Sequence, residues 1–134
     1  MIKLIIFDVG GVIDTFDESQ YVTYISKKTG KDPKRFQSNL IPLLDKMEVS
    51  KLSLNDMLCI LSKKTGLSQE QLEWDSAFKK LNRVNSNVVN LISKLSKKYK
   101  IAVLTNVSRS RHMIKMEAYL KRVKYNGMFA SCYL

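Results

Sequence analysis

An acid and a hydroxyl stand at the ends of two short apolar runs. The first run, Lys3-Leu4-Ile5-Ile6-Phe7, ends in Asp8 and is followed by Val9 and the pair Gly10-Gly11. The second, Ile101-Ala102-Val103-Leu104, ends in Thr105-Asn106. Apolar, partly β-branched runs of this length suit strands buried on both faces of a parallel sheet. Ligands of open parallel sheets bind beyond the carboxyl ends of the strands. Parallel neighbours would bring Asp8 and Thr105 to one edge, where the glycines let the backbone approach a ligand closely.

The elements that must position this pair can be read from caps and periodicity. Tyr21, Tyr24 and Ile25 have helical spacing, and Gly30 sits at the C-terminal cap. Asp32-Pro33 is an N-cap followed by proline at the first helical position, with Phe36, Leu40, Leu43 and Leu44 on the apolar face and Pro42 a kink or break. Ser53 to Asp56 resembles a capping box, ahead of Leu54, Met57, Leu58 and Leu61, and Gly66 closes that helix. Ser68 to Gln71 is a second capping box, opening a helix through Leu72 and Phe78. Asn85 or Ser86 caps another, carrying Val88, Leu91, Ile92 and Leu95. Ser108 caps a helix to about Arg122, and residues 128–134 read as a third strand. Strands alternating with helices predict a parallel, Rossmann-like α/β core from residues 1–15 and 86–134. Residues 16–85 hold about four helices, too many for one crossover, and should form a separate helical cap.

Composition narrows the classes. Apolar residues make up 45% of the 134, enough for a buried core and against disorder. No run approaches the length of a membrane span, and the amino-terminal run is too short and wrongly flanked for a signal peptide. Cys59 and Cys132 show no metal-ligand spacing, so reduced structural thiols in a cytoplasmic protein are expected. The net charge is +11. Residues 1–20 carry Lys3 against Asp8, Asp14, Asp17 and Glu18, which is −3, so the remainder carries +14. The lysines come in pairs, Lys27-Lys28, Lys63-Lys64, Lys79-Lys80 and Lys97-Lys98, and cations at helix C-termini complement the macrodipole. No aromatic–basic interleaving accompanies them, so solvated helix ends are expected and nucleic acid is not expected as a partner.

The stretch from Ile5 to Ile13, Ile-Ile-Phe-Asp-Val-Gly-Gly-Val-Ile, resembles the first motif of the haloacid dehalogenase superfamily. Val103-Leu104-Thr105-Asn106 resembles the second, and the helical insertion matches the cap that many members carry after the first motif. The resemblance covers essentially the whole chain. It implies a phosphatase-type hydrolase in which Asp8 attacks phosphorus and forms an aspartyl-phosphate. It further implies Mg²⁺ held by Asp8 and the Gly10 carbonyl, with the phosphoryl oxygens held by the Thr105 hydroxyl and the N–H groups of Val9 and Asn106. The implied substrate is a small phosphorylated metabolite chosen by the cap.

Two departures from the family pattern stand out. The common phosphatase pattern has a second Asp two positions after the nucleophile, as general acid and base, where this chain has Gly10. Asp14 is a distant substitute. The third motif, a lysine, and the fourth, an acidic metal-binding pair, are not met before Leu134, so a truncated, split or partly ordered version of a longer domain is expected. Lys115, Lys121 and Lys124 are expected on the surface, as are Arg109 and Arg111, and His112 on the surface or partly buried. Two alternatives follow: a metal-independent 2-haloacid dehalogenase using Asp8, and a catalytically incomplete binding module. Substrate and oligomeric state are left open.

Overall fold

The computed structural model describes residues 1–133. Contacts divide the chain into an α/β unit, Met1–Thr15 with the chain from Arg83 onward, and a helical unit, Phe16–Asn82. Arg83, Val84 and Asn85 go with the α/β unit for a local reason. The Thr15 N–H donates to the Arg83 carbonyl at 2.9 Å, the Asn85 N–H to the Ile13 carbonyl at 2.8 Å, and Asp14 forms an antiparallel bridge with Val84.

The α/β unit is built on one parallel sheet in the order β1 (Leu4–Asp8), β2 (Lys100–Thr105), β3 (Gly127–Ala130). Leu4 pairs with Lys100 and Asp8 with Leu104; Ala102 pairs with Gly127 and Thr105 with Ala130. Helix α6 (Ser86–Leu95) leads into β2, and α7 (Arg109–Ala118) joins β2 to β3. Two crossovers of the same hand, stepping the same way along the sheet, place both helices on one face. That face is a single core: Ile101, Val103, Ile92, Tyr119, Leu120 and Val123, with Ile5, Phe7, Val88, Leu95, Met116 and Met128 packed against it. The opposite face is open. Leu4, Ile6, Leu104 and Phe129 are each about half exposed, so the expectation of strands buried on both faces holds for one face only.

The third strand is shorter than expected. Strand β2 ends at Thr105, so pairing ends at Ala130, and Ser131–Tyr133 turn into a 3₁₀ helix. Leu134, the last residue of the expected strand, lies outside the described residues. The last helix also divides: α7 ends at Ala118, and a 3₁₀ turn at Leu120–Arg122 follows.

The helical unit contains α1 (Glu18–Thr29), α2 (Pro33–Glu48), α3 (Leu54–Thr65), α4 (Gln69–Leu72) and α5 (Trp74–Leu81). Gly30 and Gly66 both take φ 72°, closing α1 and α3 in the left-handed conformation that glycine adopts without strain. Asp32 accepts the Arg35 N–H at 2.8 Å, and the Ser68–Gln71 capping box forms in both directions. Helix α2 continues through Pro42. The expected helix through Leu72 and Phe78 is broken at Glu73, which takes φ 45°. Its carboxylate is held there from α1 by the Tyr24 hydroxyl at 2.8 Å and by Lys28. Tyr21, Ile25, Phe36, Leu40, Met57, Leu61, Leu72 and Trp74 fill this unit's own core.

Candidate active site

The parallel register brings the ends of β1 and β2 to the same edge. Asp8 is the last residue of β1 and is exposed; Thr105, the last of β2, lies one residue beyond Asp8's partner Leu104 and is buried. Adjacent strands lie about 4.8 Å apart, so the two strand ends are neighbours on that edge. Asp8 Oδ1 accepts the Val9 N–H at 2.7 Å. Asn106 follows Thr105 and is exposed.

The loop after Asp8 is wound around a single acceptor. The Val9 carbonyl receives the N–H groups of Val12 at 3.2 Å, Ile13 at 2.9 Å and Asp14 at 3.0 Å. Gly11 takes φ 74°, which only glycine adopts cheaply. A Cβ at Gly10 or Gly11 would meet nothing within 4 Å, so the outer side of the loop is open for a ligand. The buried side chains of Val9 and Ile13 fasten its inner side into the core.

Helix α7 starts soon after Asn106 and aims its amino end at the same edge. Its N-cap, Ser108, makes no side-chain cap bond. The positive dipole end of a helix favours an anion nearby. The segment between is tied to the turn after β3: the Val107 N–H donates to Ser131 Oγ at 2.9 Å, and the Ser131 hydroxyl donates to the Val107 carbonyl at 3.3 Å.

Three expectations for this region change. Lys115, expected on the surface, is buried and pairs with Asp14 Oδ2 at 3.0 Å. Asp14 is fully buried and also accepts the Tyr119 hydroxyl. An acid so enclosed is anchored rather than available for proton transfer, so Asp14 does not serve as the substitute acid–base. Arg111 is buried rather than exposed, while Arg109, Lys121 and Lys124 are exposed. His112 is buried, with its ring edge-on to Tyr133, and desolvation, followed by the nearby Lys115 charge, holds its pKa below the ordinary value. The available sequence signal was the spacing of Arg111, Lys115 and Tyr119, which share one helical face.

Asp8 and the Gly10 carbonyl are of the donor type that Mg²⁺ takes. Both are hard oxygen donors beside open space, and Mg²⁺ commonly binds through one or two carboxylates, keeping several waters and a substrate phosphate. Among the described residues no group of three or more His, Cys, Asp or Glu gathers around a common point. A cleft of about 260 Å³ in the helical unit is lined by Lys31, Arg35, Asn39 and Lys64 among others, and contains none of these site residues.

No family model matches the sequence, and no curated protein is similar to it. Solved structures are similar. A HAD family enzyme from Bacteroides thetaiotaomicron, in complex with magnesium and inorganic phosphate, superposes with a TM-score of 0.75 at 17% identity, covering 99% of this chain and 70% of that one. A predicted HAD-like family hydrolase from Porphyromonas gingivalis gives 0.73 at 22% identity, covering 99% and 68%. The L-2-haloacid dehalogenase from Xanthobacter autotrophicus, with chloropropionic acid covalently bound, gives 0.57 at 14% identity, covering 97% and 57%. The chain has the haloacid dehalogenase-like hydrolase fold.

Proposed function

We propose that this chain supplies the nucleophile and phosphate-holding part of a Mg²⁺-dependent phosphohydrolase, with Asp8 as nucleophile and a small phosphorylated metabolite as substrate. The observation that carries the reading is the shared edge: an exposed carboxylate at the end of β1, the end of β2 beside it, an open glycine loop, and a helix amino end. The magnesium and phosphate held by the Bacteroides thetaiotaomicron enzyme support it.

In this reading an Asp8 carboxylate oxygen attacks phosphorus, the substrate's ester oxygen leaves with its bonding pair, and the resulting acyl phosphate is cleaved by water. The Asn106 N–H and the Thr105 hydroxyl hold the phosphoryl oxygens, joined by the Val9 N–H once it is released from Asp8 Oδ1, and the α7 amino end adds positive potential. Asp8 and the Gly10 carbonyl would hold Mg²⁺, which supplies charge neutralisation when bound. The anchored loop from Val9 to Asp14 fixes where Asp8 points, and positioning is most of what phosphoryl transfer asks of a protein.

The test is release of phosphate from p-nitrophenyl phosphate by the protein in Mg²⁺. Asp8→Asn is expected to abolish it, and turnover that survives this change would sink the mechanism. A second reading, a 2-haloacid dehalogenase, is favoured by the likeness to the Xanthobacter autotrophicus enzyme. It predicts chloride release from 2-chloropropionate that persists in EDTA, whereas the phosphatase reading predicts loss of turnover on chelation.

A further inference from the structure

The net charge is not shared evenly between the two units. The helical unit holds 11 Lys and Arg against nine Asp and Glu, a net of +2; the α/β unit holds 12 against three, a net of +9. The lysine pairs divide in the same way. Lys27-Lys28, Lys63-Lys64 and Lys79-Lys80 lie in the last turns of α1, α3 and α5, as their sequence context predicts. Lys97-Lys98 does not: α6 ends at Leu95, and this pair sits in the connection to β2.

Parallel topology determines where that connection runs. Each helix returns antiparallel to the strands, so every helix-to-strand connection crosses the amino edge of the sheet, opposite the Asp8 edge. Lys94, Lys97, Lys98 and Lys100 lie on the connection into β2, and Lys121, Arg122 and Lys124 on the connection into β3. Lys3 precedes β1, and its carbonyl accepts the Lys100 N–H at 3.2 Å. All eight are exposed, and none forms an ion pair among the described residues. Among the described residues of the α/β unit, Glu117, in the last turn of α7, is the one acid side chain near this edge; Asp8 is at the other edge, and Asp14 is buried against Lys115.

We propose that the amino edge of the sheet is a nucleic-acid surface that grips the sugar–phosphate backbone without reading sequence. Flexible cationic side chains gathered along one edge can each meet a phosphate, and the release of condensed counterions drives such binding. This reverses the expectation from the sequence that nucleic acid is not a partner, because the fold gathers cations, and Tyr99 and Tyr125 half-buried among them, that the sequence scatters; Lys98 Nζ lies 5.8 Å from the Tyr99 ring centre. An anionic membrane fits less well. Charge alone contributes about 1 kcal/mol per lysine at such a surface, and firm attachment needs inserted apolar groups. The segments 94–100 and 121–124, with seven of the eight cations, expose no large apolar side chain; Met1, Ile2 and Leu4, all exposed, accompany Lys3 alone. The proposal does not depend on the hydrolase reading.

The experiment measures binding of the protein to a fluorescent 20-base-pair DNA duplex of arbitrary sequence across a salt series. Removing four edge charges together (Lys97→Gln, Lys98→Gln, Lys121→Gln and Arg122→Gln) is expected to weaken binding at least about tenfold and to reduce the log–log salt slope by about three to four. Removing four from the helical unit (Lys27→Gln, Lys63→Gln, Lys64→Gln and Lys79→Gln) is expected to change binding less than about threefold. Circular dichroism confirms that both variants are folded. Equal weakening by the two variants would show a diffuse field rather than a surface and overturn the proposal. So would no effect from the edge variant, or retention on phosphatidylserine vesicles without retention on DNA at the same salt.

Discussion

Asp14 and Lys115 form a buried ion pair, Nζ to Oδ2 at 3.0 Å, which joins the loop behind the Asp8 carboxylate to the helix behind Thr105. The two halves of the candidate site are thus fastened beneath the surface as well as through the sheet. Lys115→Met leaves the Asp14 charge buried with one partner fewer. Breaking such a pair from one side costs about 3–5 kcal/mol. Urea denaturation should show a loss of that size, and Asp14→Asn with Lys115→Met should cost less than the sum of the single changes. A Lys115→Met loss under about 1 kcal/mol would show that water reaches the pair.

The same carboxylate accepts the Tyr119 hydroxyl. Tyr119→Phe keeps the ring in the core and removes the hydroxyl that makes that bond. Hydrogen bonds to charged groups contribute about 1.5–3 kcal/mol, and a loss in this range is expected by equilibrium denaturation. Additivity of Tyr119→Phe with Lys115→Met would show that the two donors act on Asp14 independently, whereas coupling is expected for neighbours on one acceptor.

His112 makes stability depend on pH. Desolvation and the nearby Lys115 charge lower its folded-state pKa from 6.5, so below pH 6.5 the unfolded chain takes up a proton that the folded chain resists. Stability therefore falls as pH drops through 6.5 toward the lowered folded value. Denaturation midpoints measured from pH 7.5 to 5 should fall more steeply for the native protein than for His112→Gln. Parallel profiles would remove His112 as the cause.

What could be read in the sequence and what could not divides by range. Gly30, Asp32, Gly66 and the Ser68–Gln71 box are satisfied by neighbours within a few residues, so residue type and spacing sufficed. The break at Glu73 goes with contacts to Tyr24 and Lys28, far back on α1, which nothing local announces. Lys115 looks like any other surface lysine until the fold brings Asp14 to it. Asp8 and Thr105 were legible as strand-end residues because their two strands of the parallel sheet are written as apolar runs. The open sheet face was not legible, because an apolar run does not say how many helices will cover it.

Cysteine reactivity offers a direct check on burial near the site. Cys59 is exposed; Cys132 is partly buried, and desolvation raises its thiol pKa above the ordinary value. The thiolate is the reactive form. Iodoacetamide at pH 8 should therefore modify Cys59 first, with peptide mass spectrometry following each site. Equal rates in the folded protein would mean that the segment after β3 opens readily.

Gly10 and Gly11 are neighbours with opposite tolerance, and the difference tests the hydrolase reading. Gly11 at φ 74° would strain any side chain, so Gly11→Ala should cost roughly 1–2 kcal/mol. Gly10 has no such backbone demand, and a Cβ there meets nothing within 4 Å. Gly10→Asp should therefore fold with little loss of stability. It would also place a second carboxylate two residues beyond Asp8, able to protonate a leaving oxygen and then to take a proton from water. General acid–base catalysis typically contributes about 10²–10⁴-fold. An increase in Mg²⁺-dependent phosphate release by Gly10→Asp, lost again on adding Asp8→Asn, is the expected result in a coupled phosphate assay. A folded Gly10→Asp protein with unchanged turnover would mean that proton transfer does not limit the reaction, or that the new carboxylate does not reach the phosphorus side of Asp8.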